Sequence, residues 1–347
     1  MTEEQAFNPF AGGELLRVAP TTPPQQEILA AAKMSDEANT AFNEAIALHI
    51  DGRLDPDLLE KCFNTLIERH EILRTTFSPA GDEMCLHEPG NVSFEYEDLR
   101  DQEEQQKQYF LQNLLKNIAI SPMNLEEGPL FFVWLKQLEE SEYELIIATH
   151  HLVCDGWSFG ILLEELVKLY NNGGDVTLLA PPSSFYDYAE EQSATSVKNI
   201  DTDFWLDSLK KLPPPLDLPL DNNRPATRSF TAARLDYKLT KEIVHQLPKA
   251  ASALKSSIVN YVLAAYFSLL YRLTGNDDIV VGLPLAGQVA FNQLNLLGHL
   301  VQLIPIRLQF NEKTTFAELV SMVKNEVLKA SEHPNFTFGE LLKNFTV

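Results

Sequence analysis

Apolar and polar residues alternate with two different periods along the first half of the chain, which predicts strands interspersed with helices. Residues 43–50 have the short apolar pattern of a strand. Over residues 59–70 apolar side chains recur every three or four positions, which is the spacing of a buried helical face. Asp55 is placed to cap this helix, and Pro56 suits its first position. Residues 74–77 then begin the next strand.

Two apolar runs at residues 130–138 and 143–149, separated by a charged turn, are the clearest strand signal and predict a hairpin. A helix is predicted after them, from about Ser158 to Tyr170. Its apolar residues fall on one face, and a Gly-Gly pair follows its last turn, which is typical of a helix end.

Five prolines within residues 212–225 predict a boundary between two lobes, because proline sustains neither a helix nor a central strand. Beyond this boundary the pattern again mixes both types of element. The predicted elements are a strand at 230–239, a helix at 257–273, strands at 279–285 and 300–310, and a helix from the Thr315–Glu318 capping box to about Ala330.

Composition narrows the class of protein. The length of 347 residues, 45% of them hydrophobic, fits two lobes with separate cores. There are 49 acidic and 27 basic residues, giving a formal net charge of −22, so neither nucleic acid nor an anionic membrane is expected as a partner. Three separated cysteines form no CxxC pair, and no apolar run is long enough to span a membrane. These features predict a cytoplasmic protein without disulfides or a bound metal.

The segment THHLVCDGWS, residues 149–158, carries the candidate chemistry. Neighbouring strand residues point to opposite faces, so one of His150 and His151 is expected in the core and the other at a cavity. Gly156 permits an unusual backbone angle. An imidazole at a strand end can handle the proton of a nucleophile, and the Gly156 N–H can bind an oxyanion, so acyl transfer is one interpretation. Asp155 is expected to hold the loop by pairing with an arginine. A purely structural histidine pair fits these residues as well.

The HHLVCDG segment resembles the HHxxxDG core motif of the condensation-domain family of nonribosomal peptide synthetases. Further segments resemble other motifs of this family, in the family's order: TTPPQQEIL (21–29), RHEILRTTF (69–77), FYDYA (185–189), VGLPLAGQ (281–288), GHLVQLIPIR (298–307) and HPNFTF (333–338). Gln288, His299 and Gln302 depart from the residues most common in the family, which are Arg, Phe and Asn. His299 is not expected to be catalytic.

The resemblance implies an α/β (α+β) fold of two chloramphenicol-acetyltransferase-like lobes in a V-shaped pseudo-dimer, with the second lobe incomplete because the family's motifs continue beyond Val347. The implied division is a leader or linker at 1–20, an amino-terminal lobe carrying HHxxxDG at 21–182, a crossover helix and Pro-rich linker at 183–225, and a carboxy-terminal lobe at 226–347.

The resemblance also implies the reaction, which is amide bond formation between a donor acyl or peptidyl thioester and the amine of an acceptor aminoacyl thioester. Both substrates arrive on 4'-phosphopantetheine arms of donor and acceptor carrier proteins, beside an adenylation domain, and the domain binds no cofactor itself. His151 is the implied central histidine, as general base or as orienting partner of the amine, with the Gly156 N–H as oxyanion donor. Structural support is implied for His150 and for Asp155, which would pair with one of three arginines: Arg307, Arg69 or Arg74.

Two alternatives use the same residues. A condensation-like module can recruit partners without catalysis, although such relatives lose motif residues that are intact here. An epimerisation-type relative shares the HHxxxDG core. The surrounding motifs resemble condensation domains more closely than epimerases.

Overall fold

The computed structural model describes residues 12–194, 200–226 and 228–335, together with Thr337 and Gly339. Residues 1–11 of the predicted leader and residues 336 and 338 of the last family-like motif lie outside this described part.

The chain divides into two compact units. The first comprises Met1–Ser196 and Asn292–Val301, and the second comprises Val197–Phe291 and Gln302–Val347. Two features differ from the division predicted from sequence. A strand lies inside the predicted leader, at Leu15–Pro20, and residues 292–301 of the predicted carboxy-terminal lobe belong to the first unit.

The first unit is mixed α/β. Its strands are β1 (Leu15–Pro20), β2 (Asn43–Asp51), β3 (Thr75–Phe77), β4 (Glu83–His87), β5 (Ser93–Asp98), β6 (Phe131–Glu139) and β7 (Glu142–His150). Its helices are α1 (Pro23–Ala32), α2 (Asp36–Thr40), α3 (Pro56–Arg69), α4 (Glu104–Ile120), α5 (Gly156–Asn171) and α6 (Phe185–Ala194). The predicted strand at 43–50, the helix after Pro56 and the hairpin at 130–149 are confirmed.

A four-stranded sheet in the order β2-β7-β6-β5 forms the centre of the first unit. The β2-β7 and β6-β7 pairs are antiparallel, whereas β5 runs parallel to β6. Helix α3 covers one face through Phe63, whose ring lies 6.3 Å from that of Phe131. Helix α4 covers the other face, where Ile118 packs with Ile146 and Ala148. Because both faces are covered, β7 is buried along most of its length and reads as a continuous apolar run.

The second, smaller sheet of this unit has the order β1-β4-β3 and is antiparallel. Its strands are short, and β3 is buried at all three positions. The local sequence gives little signal for β1 and β4, because neither has a long apolar alternation.

Helix α3 begins where the sequence predicts. The Asp55 carboxylate accepts hydrogen bonds from the N–H groups of Asp57 and Leu58, both at 3.1 Å, and Pro56 occupies the first turn. These contacts satisfy donors that a helix start leaves without intrahelical acceptors. The helix buries the stripe that its spacing indicates, which consists of Leu59, Cys62, Phe63, Leu66 and Ile67.

The second unit contains α7 (Ile200–Ser208), α8 (Lys241–Ala253), α9 (Ile258–Thr274), β8 (Asp278–Leu285), α10 (Gly287–Ala290), β9 (Gln302–Gln309) and α11 (Phe316–Ser331). Strands β8 and β9 form an antiparallel pair, and α9 and α11 bury their apolar faces in the same core. The Thr315–Glu318 capping box at the start of α11 is confirmed.

The strand predicted at 230–239 is wrong, because residues 228–239 form neither strand nor helix. Leu235 and Tyr237 are 97% and 82% exposed. An alternating pattern requires a neighbouring strand before its apolar residues can be buried, and within the described part of the second unit only β8 and β9 are paired.

Among the described residues no single helix is both long and apolar enough to cross a membrane, although α8 and α9, bent by 96° relative to each other, reach that length and composition as a pair.

Glu165 of α5 joins that helix to the end of α3. Its carboxylate accepts hydrogen bonds from Arg69 Nε at 2.9 Å and Arg69 Nη2 at 3.2 Å, and it lies 2.7 Å from His70 Nε2. Burial acts to raise the pKa of Glu165, but the hydrogen bonds from His70 and Arg69 outweigh it, so the net shift is downward.

A depressed carboxyl pKa contributes stability above the unfolded-state pKa and loses it as the pH falls through the folded-state pKa. We therefore expect Glu165→Gln to reduce the free energy of unfolding at pH 7 by about 2 kcal/mol, and the difference from wild type to shrink below about pH 4. Urea unfolding at several pH values measures this. Glu164→Gln is the matched control, because Glu164 is exposed and pairs with Lys168 on the surface, so its effect should stay below about 0.5 kcal/mol. Equal losses for the two variants would contradict this assignment.

Candidate active site

The end of β7 and the start of α5 are joined by a turn at residues 151–155 that is fixed by backbone and side-chain contacts. The His151 N–H donates to the Phe42 carbonyl at 2.8 Å, and the Val153 N–H donates to the His150 carbonyl at 3.0 Å. The buried amide of Gln25 donates to the Leu152 carbonyl at 3.1 Å. Three hydrogen bonds therefore hold the turn, and the geometry of His151 is set by its surroundings.

His150, the last residue of β7, is fully buried. The alternation of β7 places it on the same face as Ile146 and Ala148, which α4 covers. The Leu152 N–H donates to its Nδ1 atom at 3.3 Å, and its Nε2 atom has no hydrogen-bond partner among the described residues. Burial, together with the charge of His151, lowers the pKa of His150 to about 3. His150 is therefore a neutral residue of the interior.

His151 lies one residue further on and keeps 22% of its side chain exposed. Its Nδ1 atom is 2.9 Å from the carbonyl oxygen of Cys154. A carbonyl oxygen only accepts hydrogen bonds, so this contact assigns the proton of the neutral ring to Nδ1. The Nε2 atom then carries a lone pair, which can accept a proton or a hydrogen bond.

The buried carboxylate of Asp155 ties this turn to residues 298–300 of the same unit. It accepts hydrogen bonds from the Ser158 N–H at 2.8 Å, as the cap of α5, and from the Leu300 N–H at 3.1 Å. The Ser158 hydroxyl lies 2.8 Å from this carboxylate and 3.0 Å from the Gly298 carbonyl, and it accepts from the Gly298 N–H at 3.0 Å. With a single hydrogen, the hydroxyl donates to one of these two oxygens at a time.

The prediction that one of three arginines pairs with Asp155 is corrected by the contacts of those arginines. Arg69 binds Glu165, and Arg74 donates to the His87 carbonyl. Arg307 binds Asp278, with Nε 2.8 Å from Oδ1 and Nη2 2.6 Å from Oδ2. Among the described residues the Asp155 carboxylate accepts hydrogen bonds from backbone N–H groups, and the Ser158 hydroxyl lies within hydrogen-bond distance of it.

Residues 298–300 bring His299 against His151. The two ring centroids are 4.6 Å apart in an edge-to-face arrangement, with an angle of 71° between the planes. His299 is 5% exposed, and burial, followed by the neighbouring charges of His151 and His150, lowers its pKa well below the usual range. The sequence gives no sign of this contact, because His299 lies 148 positions beyond His151.

Glu44 is a second residue near His151 that was not predicted. It lies on β2 opposite Thr149, and its Oε2 atom is 3.7 Å from His151 Nδ1. Burial is the largest cause of a raised pKa at Glu44, the charge of His151 opposes it, and the charge of Asp155 adds to it. A carboxylate directly before the apolar run Ala45–Leu48 of this strand is the signal that could have drawn attention to it.

Gly156 is the first residue of α5 and is exposed. The unusual backbone angle that glycine permits is not used here, because the φ of Gly156 is not positive, and a Cβ added there would meet no atom within 4 Å. Its N–H has no acceptor among the described residues and belongs to the first turn, where helix N–H groups carry a partial positive charge.

Within the described residues no group of three His, Cys, Asp or Glu side chains could hold a metal ion. The histidine cluster therefore consists of one partly exposed imidazole, two buried neutral imidazoles and a partly buried carboxylate. This arrangement suits proton handling and hydrogen bonding at His151.

The chain is a mixed α/β protein of two units, in which a histidine ends a central strand and a capped helix follows directly. The comparisons identify the family within that class. The condensation-domain family matches residues 16–347, and the chain belongs to it.

Two curated relatives illustrate the sequence similarity. The chain is 33% identical over 341 residues to surfactin synthase subunit 2 of Bacillus subtilis (strain 168), covering 98% of the chain and 9% of that protein. It is 29% identical over 347 residues to tyrocidine synthase 2 of Brevibacillus parabrevis, covering 99% of the chain and 9% of that protein. The chain thus spans about a tenth of the length of these relatives.

Solved structures show the same fold. The first condensation domain of the CDA synthetase superimposes with a TM-score of 0.80 at 21% identity, over 94% of this chain and 77% of that one. A holo four-domain nonribosomal peptide synthetase bound to AMP and glycine gives a TM-score of 0.82 at 20% identity, over 95% of this chain and 25% of that one. The predicted α/β fold and the family resemblance are confirmed.

Gly298 provides a stability test of the contact between Asp155 and residues 298–300. Its φ is +149°, and an added Cβ would lie 2.2 Å from Cδ2 of the buried Phe185 ring. We expect Gly298→Ala to lower the free energy of unfolding by about 3 kcal/mol, through overpacking and backbone strain. Urea unfolding measures the change.

Gly160→Ala is the matched control for this test. Gly160 lies inside α5, and an added Cβ there meets no atom within 4 Å, so alanine should stabilise the protein by about 0.5 kcal/mol. Gly298→Ala with the stability of wild type would contradict the tight packing of Gly298 on Phe185.

Proposed function

We propose that this chain is the catalytic domain of a nonribosomal peptide synthetase that forms amide bonds between two carrier-bound substrates. The donor is an acyl or peptidyl thioester and the acceptor is an aminoacyl thioester, each on a 4'-phosphopantetheine arm. Family membership supports the reaction class. The observation that carries the proposal for the site is the hydrogen bond between His151 Nδ1 and the Cys154 carbonyl, which leaves the Nε2 lone pair of a partly exposed ring available.

In this reaction the acceptor amine attacks the thioester carbonyl carbon. The C–N bond forms, the C–S bond breaks, and the donor arm leaves as a thiol with the proton that the amine loses. The Nε2 lone pair of His151 serves as general base or orients the amine as a hydrogen-bond acceptor, and both roles use the same atom. An α-ammonium group has a pKa near about 8, so part of the acceptor is already neutral at physiological pH.

The Gly156 N–H is the proposed donor to the oxyanion of the tetrahedral intermediate. It has no acceptor among the described residues and lies at the positive end of a sixteen-residue helix, where a developing negative charge is favoured. Asp155 and Ser158 support it by fixing the start of that helix.

The proposed partners are donor and acceptor carrier proteins and an adjacent adenylation domain. The reaction needs no cofactor bound by the domain, because the phosphopantetheine arms belong to the carriers. We place the protein in the cytoplasm, since its three cysteines are buried free thiols, which fits a reducing compartment.

The first test follows product on the acceptor carrier. The domain is mixed with a donor aminoacyl carrier and an acceptor aminoacyl carrier, and intact-protein mass spectrometry measures the dipeptidyl product. His151→Ala should slow product formation by roughly 100-fold or more, which is typical of losing a positioned acid–base group. His49→Ala is the control, because His49 is a half-exposed residue on the same sheet.

Product at the wild-type rate from His151→Ala would overturn the assignment of His151. Tight binding of a partner by wild type, without product from any of several donors, would favour the recruitment function instead.

The Gly156 N–H can be removed without removing the helix. Proline is well tolerated at the first helical position, and the extended backbone of Asp155 is compatible with a following proline. We expect Gly156→Pro to slow product formation by roughly 100-fold relative to Gly156→Ala, which keeps the N–H. Circular dichroism and urea unfolding check that both variants fold. Similar rates for the two variants would show that this N–H is not the oxyanion donor.

A further inference from the structure

Glu44 has no part in the reaction described above, yet its carboxylate is among the charged groups nearest to His151. It follows Asn43 at the start of β2, and 35% of its side chain is exposed. Its Oε2 atom lies on the Nδ1 side of the His151 ring, at 3.7 Å. That distance is too long for a hydrogen bond but short enough for direct electrostatic attraction to a charged ring.

The other titratable groups around this pair come from three segments. His150 lies at the end of β7, Cys154 and Asp155 precede α5, and His299 lies in residues 292–301. Burial lowers the pKa of His150 and of His299, and burial raises the pKa of the Cys154 thiol, so all three stay uncharged near neutral pH. Asp155 is already bound by N–H donors and a hydroxyl.

The consequence for His151 follows from the ring itself. Its Nδ1 proton is already donated to the Cys154 carbonyl, so a proton taken up from a substrate goes to Nε2 and makes an imidazolium. The positive charge is shared by both nitrogens. A carboxylate on the Nδ1 side stabilises that charged ring, while a neutral histidine such as His299 does not compete for the proton.

We propose that Glu44 is a positioning residue, whose carboxylate stabilises the protonated form of His151 during amide formation. The inference rests on the proposed function and deepens it, because it assigns to His151 the transfer of a proton in addition to orientation of the amine.

The pH dependence follows from the state of Glu44. Its carboxyl pKa is raised, first by burial and then by Asp155, while His151 opposes the shift. The stabilising effect is present when Glu44 is ionised and is lost as the pH falls through this raised pKa.

A direct test needs no substrate. The chain is labelled with ¹³C at the histidine Cε1 position, and NMR follows each ring through a pH titration, with assignment by single histidine variants. In Glu44→Gln the titration midpoint of His151 should fall by about half a unit to one unit, because the carboxylate no longer favours the charged ring.

Glu144→Gln is the matched control. Glu144 lies on β7, and its Oε2 atom is 3.4 Å from Nδ1 of His49 on β2, so a second Glu–His pair lies between these two strands. Its removal should shift the titration of His49 and leave that of His151 unchanged. A shift of His49 in this control, without a shift of His151 in Glu44→Gln, overturns the proposal.

Kinetics separates this proposal from the proposed function. With product formation as the readout, Glu44→Gln should reduce kcat roughly tenfold with little change in KM, and should move the acidic limb of the kcat profile to lower pH. Glu44→Asp should recover part of the rate. If wild type makes product and His151→Ala does not, but Glu44→Gln has the kcat and pH profile of wild type, the role of Glu44 alone is refuted. If wild type makes no product, the proposed function fails, and the NMR titration still decides whether Glu44 acts on His151.

Discussion

The buried carboxylate of Asp155 is the contact on which the geometry of the site depends. A carboxylate that is buried away from water needs hydrogen-bond donors from the protein. For Asp155 such donors come from the first turn of α5 and from the backbone N–H of Leu300. Meeting this requirement fixes where α5 begins, closes the turn that carries His151, and binds residues 298–300 to the first unit. Gly298 permits that approach because it has no side chain to meet Phe185.

This arrangement gives neighbouring histidines different roles. His150 and His299 are enclosed and neutral, whereas His151 keeps an exposed edge and a defined tautomer. The three side chains are the same imidazole group. The difference in their charge and exposure therefore comes from burial and from the hydrogen-bond partner of each ring nitrogen. In the proposed function the site accepts one proton at His151, whose Nδ1 atom lies 3.7 Å from the Glu44 carboxylate.

The sequence predicted the elements that depend on local pattern. The hairpin at 130–149, helix α3 with its Asp55 cap and the capping box of α11 follow from spacing within about twenty residues, and the structure confirms them. The HHxxxDG-like segment also lies within a few residues of sequence, and it drew attention to the turn that carries His151.

What the sequence could not predict depends on contacts between distant segments. Glu44 and His299 reach His151 from 107 positions before it and 148 positions after it. The donors found for Asp155 include backbone N–H groups, which leave no mark in a sequence, and this explains why an arginine was expected instead. At residues 230–239 the sequence predicted a strand that the structure does not contain. The alternation of apolar and polar residues favours a strand there, but it does not supply a neighbouring strand to pair with.

The dependence of the site on Asp155 is tested most directly by the single-turnover rate of amide formation. The rate of Asp155→Asn is compared with that of wild type at identical carrier concentrations. Asparagine has the same shape as aspartate, but an NH₂ group replaces one of the two carboxylate oxygens. The NH₂ group donates hydrogen bonds and does not accept them. Asparagine therefore cannot accept from both the Ser158 N–H and the Leu300 N–H. We expect a rate at least roughly tenfold lower, since a small misplacement of the reacting group is costly. A rate equal to that of wild type would show that the position of His151 does not depend on this carboxylate, and would contradict the account.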